Sequence, residues 1–206
     1  MAVYDLIRFG TRVLMGAVAR VTVEGAEHLA RPGGYILASN HLSAWDPPFI
    51  LSITPPRPKL TVLAAAKWQK VAPLRLIFDA MDAIYLRQGD ADRAALKAAL
   101  ALLKAGGTIG MSPEGTRSRT GALIRARSGV AWLALRANTP VVPVAIWGVE
   151  KINRELRRLR RAEVHARVGP AILFDPTLSA EAATEQLMRA IAAMLPEQYR
   201  GVYAQA

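Results

Sequence analysis

The sequence predicts an α/β fold, in which a mostly parallel, mixed sheet is covered by helices on both faces and preceded by an N-terminal amphipathic helix. Short apolar segments alternate with helical segments along most of the chain, a pattern typical of strands joined by helical crossovers. The chain has 206 residues, 52% of them hydrophobic and 21% charged, which suits one core better than two. We therefore predict a single domain over residues 1–206, with an N-terminal helix in 1–20 and an α/β core in 21–206.

The N-terminal helix is predicted over residues 3–20, because Leu6, Phe9 and Val13 recur at helical spacing. Arg12 lies on another side of the same helix. An amphipathic helix with basic residues can lie in the interface of a lipid bilayer. It can equally pack its apolar side on the core of the domain, and the pattern alone leaves both alternatives open.

The first half of the core alternates short strands with helices. In chain order these are strands at 21–24 and 35–39, a helix at 46–53, a strand at 60–65, a helix at 69–80 and a strand at 83–86. A Pro-Gly-Gly turn introduces the second strand. The helix at 46–53 begins with Asp-Pro, a typical helix start, and prolines at 55, 56 and 58 end it.

The second half of the core continues the alternation. It contains a helix at 90–105, a strand at 108–111, a helix at 128–138, strands at 141–147 and 163–168, and a last helix at 179–195. Ala and Leu dominate the first of these helices, and two glycines stop it. Ser179 caps the last helix, and Pro196 follows its end.

The charge of the chain limits its partners. A formal net charge of +11 attracts anions at long range, so candidates are nucleic acid, an anionic bilayer and phosphorylated substrates. The chain has no cysteine and three histidines, which excludes thiolate nucleophiles and argues against a metal site. We also expect neither a secretory signal nor a membrane-spanning helix, because charged residues interrupt every apolar stretch.

The first candidate site follows the second predicted strand, in the segment from Asn40 to Asp46. His41 lies just past a strand end, where α/β sheets place their ligands. In one continuous helix the side chains of His41 and Asp46 would point about 140° apart, so they meet only if a turn separates them. In that case the carboxylate would hold the proton on Nδ1 and leave Nε2 free to deprotonate an alcohol. The alternative is that Asp46 merely caps the following helix.

The second candidate site is the sequence Pro-Glu-Gly-Thr-Arg-Ser at 113–118, directly after another strand. Arg117 offers a planar guanidinium suited to a phosphate, and Thr116 adds a hydroxyl. Gly115 allows a ligand to approach the backbone closely. Glu114 can only accept hydrogen bonds when ionised, so it would bind a substrate hydroxyl or pair with Arg117. The alternative is a surface turn with solvated arginines.

Together the two segments resemble the glycerolipid acyltransferase family, in particular the 1-acylglycerol-3-phosphate acyltransferases. That family carries Asn-His-x-x-x-x-Asp, the HX4D motif, followed several tens of residues later by Pro-Glu-Gly-Thr-Arg-Ser. Here the two motifs are residues 40–46 and 113–118. A strand ending in arginine at 83–87 and an apolar strand with a central proline at 141–146 match two weaker blocks. The resemblance covers roughly residues 20–170.

The resemblance implies a glycerol-3-phosphate acyltransferase-like fold and a role for each matching residue. His41 would be the general base for an acceptor hydroxyl, with Asp46 orienting it. The residues implied to hold the acceptor, the arginines on its phosphate, are Lys67, Arg87, Glu114, Gly115, Thr116 and Arg117. The acyl donor would be a thioester of coenzyme A or acyl carrier protein. This thioester is a co-substrate, and no cofactor or metal is implied.

The implied reaction is transfer of a fatty acyl group to the free hydroxyl of lysophosphatidate in phospholipid biosynthesis. The implied location is cytoplasmic, on the anionic inner face of the cell membrane. Alternatives are another lysolipid or glycerol 3-phosphate as acceptor, and a non-enzymatic protein that binds nucleic acid or membranes through its positive charge. The absence of a Gly-x-Ser-x-Gly sequence argues against an ester hydrolase.

Overall fold

A computed structural model describes residues 2–71, 75, 77–79, 81–86 and 92–204. Its strands form one sheet in the order β1-β7-β6-β2-β5-β3-β4. The strands are β1 Ala19–Glu24, β2 Ile36–Ser39, β3 Leu60–Ala65, β4 Ile84–Leu86, β5 Thr108–Met111, β6 Val141–Trp147 and β7 Ala162–Val168. The seven predicted strands are confirmed, and their ends agree to within two residues.

The sheet is mixed and mostly parallel, as predicted. Only the β6–β7 pair is antiparallel among the described pairs. Strands β1 and β7 therefore run opposite to the other five. We refer to one end of the sheet as the carboxyl end, because the five strands β2 to β6 finish there. Strands β1 and β7 start at this end.

Helices cover both faces of this sheet. Those that the structure describes with bounds are α1 Ala2–Val18, α2 Asp46–Ile53, α3 Arg93–Lys104, α4 Gly129–Ala137, α5 Ile152–Leu156 and α6 Ala180–Met194. Right-handed crossovers place α2 on one face and both α3 and α4 on the other. Helix α1 packs against α2, and α6 packs against α4 and β6.

Two helical segments differ from the predictions. The helix predicted at 69–80 falls partly outside the described residues; 75 and 77–79 are helical, and Ala66–Lys70 forms a 3-10 turn. Helix α5 was not predicted, because five residues are too few to show a helical period.

The core lies between the two helical layers and is centred on β2 and β6. Every residue of β2 is buried, and in β6 only Trp147 is partly exposed. Strands covered on both faces are apolar throughout instead of alternating, which explains the continuous apolar runs in the sequence. The polar residues that follow β2 and β5 lie at the carboxyl end of the sheet, at the edge of this core.

Helix α1 uses one side for packing and exposes the other. Tyr4 and Met15 are buried, and the Arg8 guanidinium donates to the carbonyl of Thr54 at 3.0 Å. The exposed side is mostly apolar but also carries Arg12, and its large apolar residues are Val3 (55% exposed), Leu6 (68%), Phe9 (63%), Val13 (56%) and Leu14 (42%). Among the helices that the structure describes, none is long and apolar enough to cross a membrane.

Candidate active site

Asn40 anchors the first motif to the sheet. Its side-chain amide donates to the carbonyl of Ile146 at 2.9 Å, and its side-chain oxygen accepts from the Ile146 N–H at 2.8 Å. These two bonds continue the β2–β6 ladder one residue beyond the end of β2. Asn40 is 1% exposed, so the amide is a fixed support for the next residue, His41. Sequence reasoning assigned Asn40 no role of its own.

His41 and Asp46 form a dyad. The Nδ1 of His41 lies 2.5 Å from Oδ2 of Asp46. The His41 side chain is 27% exposed, whereas the Asp46 side chain is 5% exposed. A carboxylate on Nδ1 keeps the proton there and leaves Nε2, which has no hydrogen-bond partner among the described residues, able to accept a proton. The turn that the spacing required is therefore present.

The carboxylate of Asp46 points back into this turn. Its Oδ2 also accepts from the backbone N–H groups of Leu42 at 2.7 Å and Ser43 at 3.0 Å. Asp46 is the first residue of α2, and no side chain caps that helix. The capping alternative is therefore wrong, because the oxygen that would cap α2 holds the loop before it. The other oxygen, Oδ1, is buried without a partner among the described residues.

Glu114 joins the second motif to the first. Its Oε1 accepts from the backbone N–H of His41 at 2.8 Å, and its Oε2 accepts from the N–H of Ile124 at 3.0 Å. Burial raises the pKa of Glu114 above its usual value of 4.5, against the opposite effect of these two hydrogen bonds. Glu114 is 2% exposed and makes no ion pair with Arg117. Both of its oxygens are therefore used to hold the turn at His41 and the loop at Ile124.

The rest of the second motif forms an exposed cationic loop. Gly115 has a φ of +67°, which explains the glycine, and a side chain there would lie 3.3 Å from Cδ of Arg127. Thr116 and Arg117 are exposed beside it, and Arg117 has no ion pair with any described residue. Sequence reasoning missed Arg127, because only the fold brings it over Gly115. Ser118 closes the loop, since its N–H donates to the carbonyl of His41 at 2.8 Å.

Two further predicted site residues follow strands of the same sheet. Lys67 lies in the 3-10 turn directly after β3, so its backbone is at the carboxyl end of the sheet. Arg87, which follows β4 in the sequence, lies outside the described residues. Within the described part of the chain, no three His, Asp or Glu side chains converge as the ligands of a metal ion would. The groups that the described structure brings together here are the His41–Asp46 pair, the buried carboxylate of Glu114 and exposed cationic side chains.

Comparison with known proteins identifies the family of the chain. A family model described as Acyltransferase matches residues 20–147. The 1-acyl-sn-glycerol-3-phosphate acyltransferase alpha of Homo sapiens is 28% identical over 157 residues, covering 74% of this chain and 55% of the human protein. The 1-acyl-sn-glycerol-3-phosphate acyltransferase of Borreliella burgdorferi is 27% identical over 131 residues, covering 62% of this chain and 51% of its own length. The chain thus spans about half the length of these curated relatives.

A solved structure shares the fold. The crystal structure of the 1-acyl-sn-glycerophosphate (LPA) acyltransferase PlsC from Thermotoga maritima superposes with a TM-score of 0.73 at 23% identity, covering 93% of this chain and 79% of that one. At 23% identity, this similarity shows that the two proteins share a fold. Both motifs lie within the region that the family model matches, and that region is more than half of the chain. The chain belongs to the acyltransferase family.

Proposed function

We propose that this protein is an O-acyltransferase that moves a fatty acyl group from a thioester to the free hydroxyl of lysophosphatidate. The observation that carries the proposal is the contact of 2.5 Å between His41 Nδ1 and Asp46 Oδ2 at the carboxyl end of the sheet. The names of the human and Borreliella relatives support this acceptor. The nucleic-acid-binding alternative gains no support from the matched family.

In the proposed mechanism His41 is the general base. Its Nε2 takes the proton of the acceptor hydroxyl while the hydroxyl oxygen attacks the thioester carbonyl, and Asp46 stabilises the imidazolium that results. General-base help of this kind contributes roughly 10²–10⁴-fold. When the tetrahedral intermediate collapses, the imidazolium gives its proton to the leaving thiolate. The ester product and the free thiol then leave, and His41 is neutral again.

The donor needs no covalent link to the protein. A thioester is already electrophilic, and the chain has no cysteine to form a new thioester. Donor and acceptor therefore bind together, and orienting them against each other lowers the barrier because a bimolecular step becomes effectively unimolecular. We propose coenzyme A or acyl carrier protein as the carrier.

The acceptor is held through its phosphate. Arg117 and Arg127 are exposed on neighbouring parts of the second motif and its loop, and neither has an ion pair with a described residue. Two exposed guanidinium groups on neighbouring segments suit a phosphate dianion. We propose that Thr116 adds a hydroxyl contact and that Lys67 and Arg87 complete the cradle.

We also propose that the protein works on the inner face of the cell membrane, where a lysolipid acceptor resides. The exposed apolar side of α1, which includes Leu6 and Phe9, supports this location. Helix α1 leads directly into β1, which starts at the carboxyl end of the sheet. The C-terminal end of α1 therefore lies at the same end of the sheet as the dyad, and the positive charge of the chain favours anionic lipids.

The proposal is tested by measuring release of free thiol from acyl coenzyme A or acyl carrier protein in the presence of lysophosphatidate. We expect turnover with the unchanged protein and a loss of roughly 10²–10⁴-fold in kcat for His41→Ala. His28→Ala is the matched control, because His28 lies after β1, at the opposite end of the sheet. Full turnover by His41→Ala would refute the proposed mechanism.

A panel of acceptors separates the remaining alternatives for the substrate. Lysophosphatidate, other lysolipids and glycerol 3-phosphate are compared at equal donor concentration by kcat/KM. We expect lysophosphatidate to be the best acceptor. Preference for another lysolipid or for glycerol 3-phosphate would keep the acyltransferase chemistry and change the acceptor. No thiol release with any acceptor would remove the proposed function altogether.

A further inference from the structure

A cavity of about 330 Å³ lies at the carboxyl end of the sheet, separate from the second motif. The end of β6, the start of β7, α5 and the segment after α6 form its walls. Three rings line it, those of Trp147, His165 and Tyr199, together with three cations, Lys151, Arg154 and Arg161. The proposed reaction assigns no role to any of these residues.

The rings are held firmly in place. Trp147 and His165 stack with their centroids 5.0 Å apart and their planes 10° from parallel, and the guanidinium of Arg167 lies 5.4 Å from the Trp147 centroid. The hydroxyl of Tyr199 donates to Oε1 of Glu150 at 2.8 Å. The cavity thus has an aromatic wall whose side chains are already held by contacts within the protein, so a flat ring bound there would order few further side chains.

Some N–H groups of these cations have no partner among the described residues and could donate to an anion. The two carboxylates in the wall already have partners, Glu163 with Arg20 at 3.0 Å and Glu155 with Arg154 at 2.9 Å. Lys151 has no ion pair with a described residue, and its Nζ lies 5.8 Å from the Tyr199 centroid.

Contacts within the described residues use only part of the Arg161 guanidinium. Its guanidinium donates through Nε and Nη2 to the carbonyl of Ala19, at 3.3 and 2.8 Å. Its Nη1 makes no hydrogen bond to a described residue. Lys151 and Arg161 therefore both offer donors to an anion in the cavity, and phosphate is the anion that such groups commonly bind.

The position of the cavity matches the position of the reaction. Strand β6 lies next to β2, which leads into His41, and β7 is the next strand. Neighbouring strands are about 4.8 Å apart, so the β6–β7 wall is displaced from β2 by roughly 5–10 Å across the sheet. A ligand in the cavity would need a narrow extended arm to reach the dyad.

We propose, on the basis of the proposed function, that this cavity binds the 3′-phosphoadenosine diphosphate part of an acyl coenzyme A donor. The adenine contacts the aromatic wall, the phosphates contact Lys151 and Arg161, and the pantetheine arm extends along the carboxyl end of the sheet to His41. A lipid headgroup supplies a phosphate but no flat ring for the aromatic wall. The combination of rings and cations therefore favours the nucleotide.

The test compares acyl coenzyme A with acyl-4′-phosphopantetheine, which lacks the 3′-phosphoadenosine part, at saturating lysophosphatidate. For Lys151→Ala we expect the KM for acyl coenzyme A to rise roughly tenfold, because a charge-assisted bond to phosphate is lost. The kcat and the KM for acyl-4′-phosphopantetheine should stay unchanged, and Lys151→Arg should restore most of the KM. Lys104→Ala is the matched control, since it removes the same charge at the end of α3, where β5 begins. The proposal is overturned if Lys151→Ala raises the KM for both donors equally, or if it raises the KM for neither donor.

Equilibrium dialysis with adenosine 3′,5′-bisphosphate tests the cavity without catalysis. We expect saturable binding that Lys151→Ala weakens and Lys104→Ala does not. Absence of binding overturns the cavity proposal even when acyl transfer is observed. Absence of transfer with any donor refutes the proposed function, and dialysis still decides on the cavity. If Lys151→Ala weakens attachment to anionic phospholipid vesicles and leaves dialysis unchanged, the cations serve lipid phosphates and the proposal fails.

Discussion

The backbone N–H of His41 donates to Oε1 of Glu114 at 2.8 Å, so one buried carboxylate joins the two motifs of the site. The other oxygen, Oε2, accepts from Ile124 in the loop that follows the second motif. The turn that contains His41 and the loop that contains Arg117 are therefore held in one relative position. Because the two residues are 73 positions apart in the sequence, only the folded chain brings them into contact.

We expect Glu114→Gln to destabilise the protein by about 1–3 kcal/mol and to lower kcat, because an amide cannot accept from two backbone N–H groups on opposite sides. One of these donors would face the new NH2 group and lose its partner. Urea unfolding measures the first effect, and thiol release measures the second. Glu181→Gln is the control, since Glu181 is exposed in the first turn of α6. A Glu114→Gln variant with unchanged stability would contradict the role of Glu114 as a clamp.

Burial of Glu114 also predicts a pH dependence of stability. Because its pKa in the folded protein is raised above 4.5, the folded state binds more protons than the unfolded state between the two values. The stability contributed by Glu114 is therefore fully present below pH 4.5 and is lost as the pH rises through the folded pKa. We expect the difference in unfolding free energy between the unchanged protein and Glu114→Gln to decrease with rising pH in that window. Urea unfolding in steps up to neutral pH measures this difference, and an increase would contradict the raised pKa.

Asp46→Asn separates the orientation of the dyad from the support of its turn. An amide oxygen in place of Oδ2 can still accept from Leu42 and Ser43, so we expect the melting temperature to change little. It cannot stabilise an imidazolium as a carboxylate does, and kcat should fall roughly 10²–10⁴-fold. Asp46→Ala should lose stability as well, because two backbone donors are left unpaired. A kcat for Asp46→Asn near that of the unchanged protein would show that the carboxylate only builds the turn.

The strands and the dyad could be predicted from sequence because their signals are local. Apolar runs mark strands such as Val141–Trp147, and His41 and Asp46 are close enough in the chain for one turn to join them. The partners of Asn40 and Glu114 could not be predicted, since these contacts join residues 106 and 73 positions apart. The sequence identified Glu114 as chemically unusual, but only the fold shows that both its oxygens bind backbone N–H groups.

Arg117→Ala should weaken binding of a phosphorylated acceptor. We expect the KM for lysophosphatidate to rise roughly tenfold or more, because a charge-assisted bond to phosphate is lost. Turnover of monoacylglycerol, an acceptor without phosphate, should not change. Arg117→Lys keeps the charge and loses the planar fork, so its KM should lie between the two. Equal effects of Arg117→Ala on both acceptors would argue against a phosphate contact.

Substitutions on the exposed side of α1 test membrane attachment without disturbing the core. Leu6 and Phe9 are 68% and 63% exposed, so their replacement by serine removes no packing comparable to that of buried Tyr4 or Met15. Burial of one such side chain in lipid is worth about 1.5–3 kcal/mol, and each substitution should weaken binding to anionic vesicles by roughly 10–100-fold. Val202→Ser is the matched control, since Val202 is 67% exposed in the last 3-10 turn. Sedimentation with vesicles measures binding, and thermal unfolding verifies that the fold is kept. If Val202→Ser weakens vesicle binding as much, exposed apolar residues in general drive attachment. If the Leu6 and Phe9 variants bind vesicles as well as the unchanged protein, the membrane contact lies on another surface.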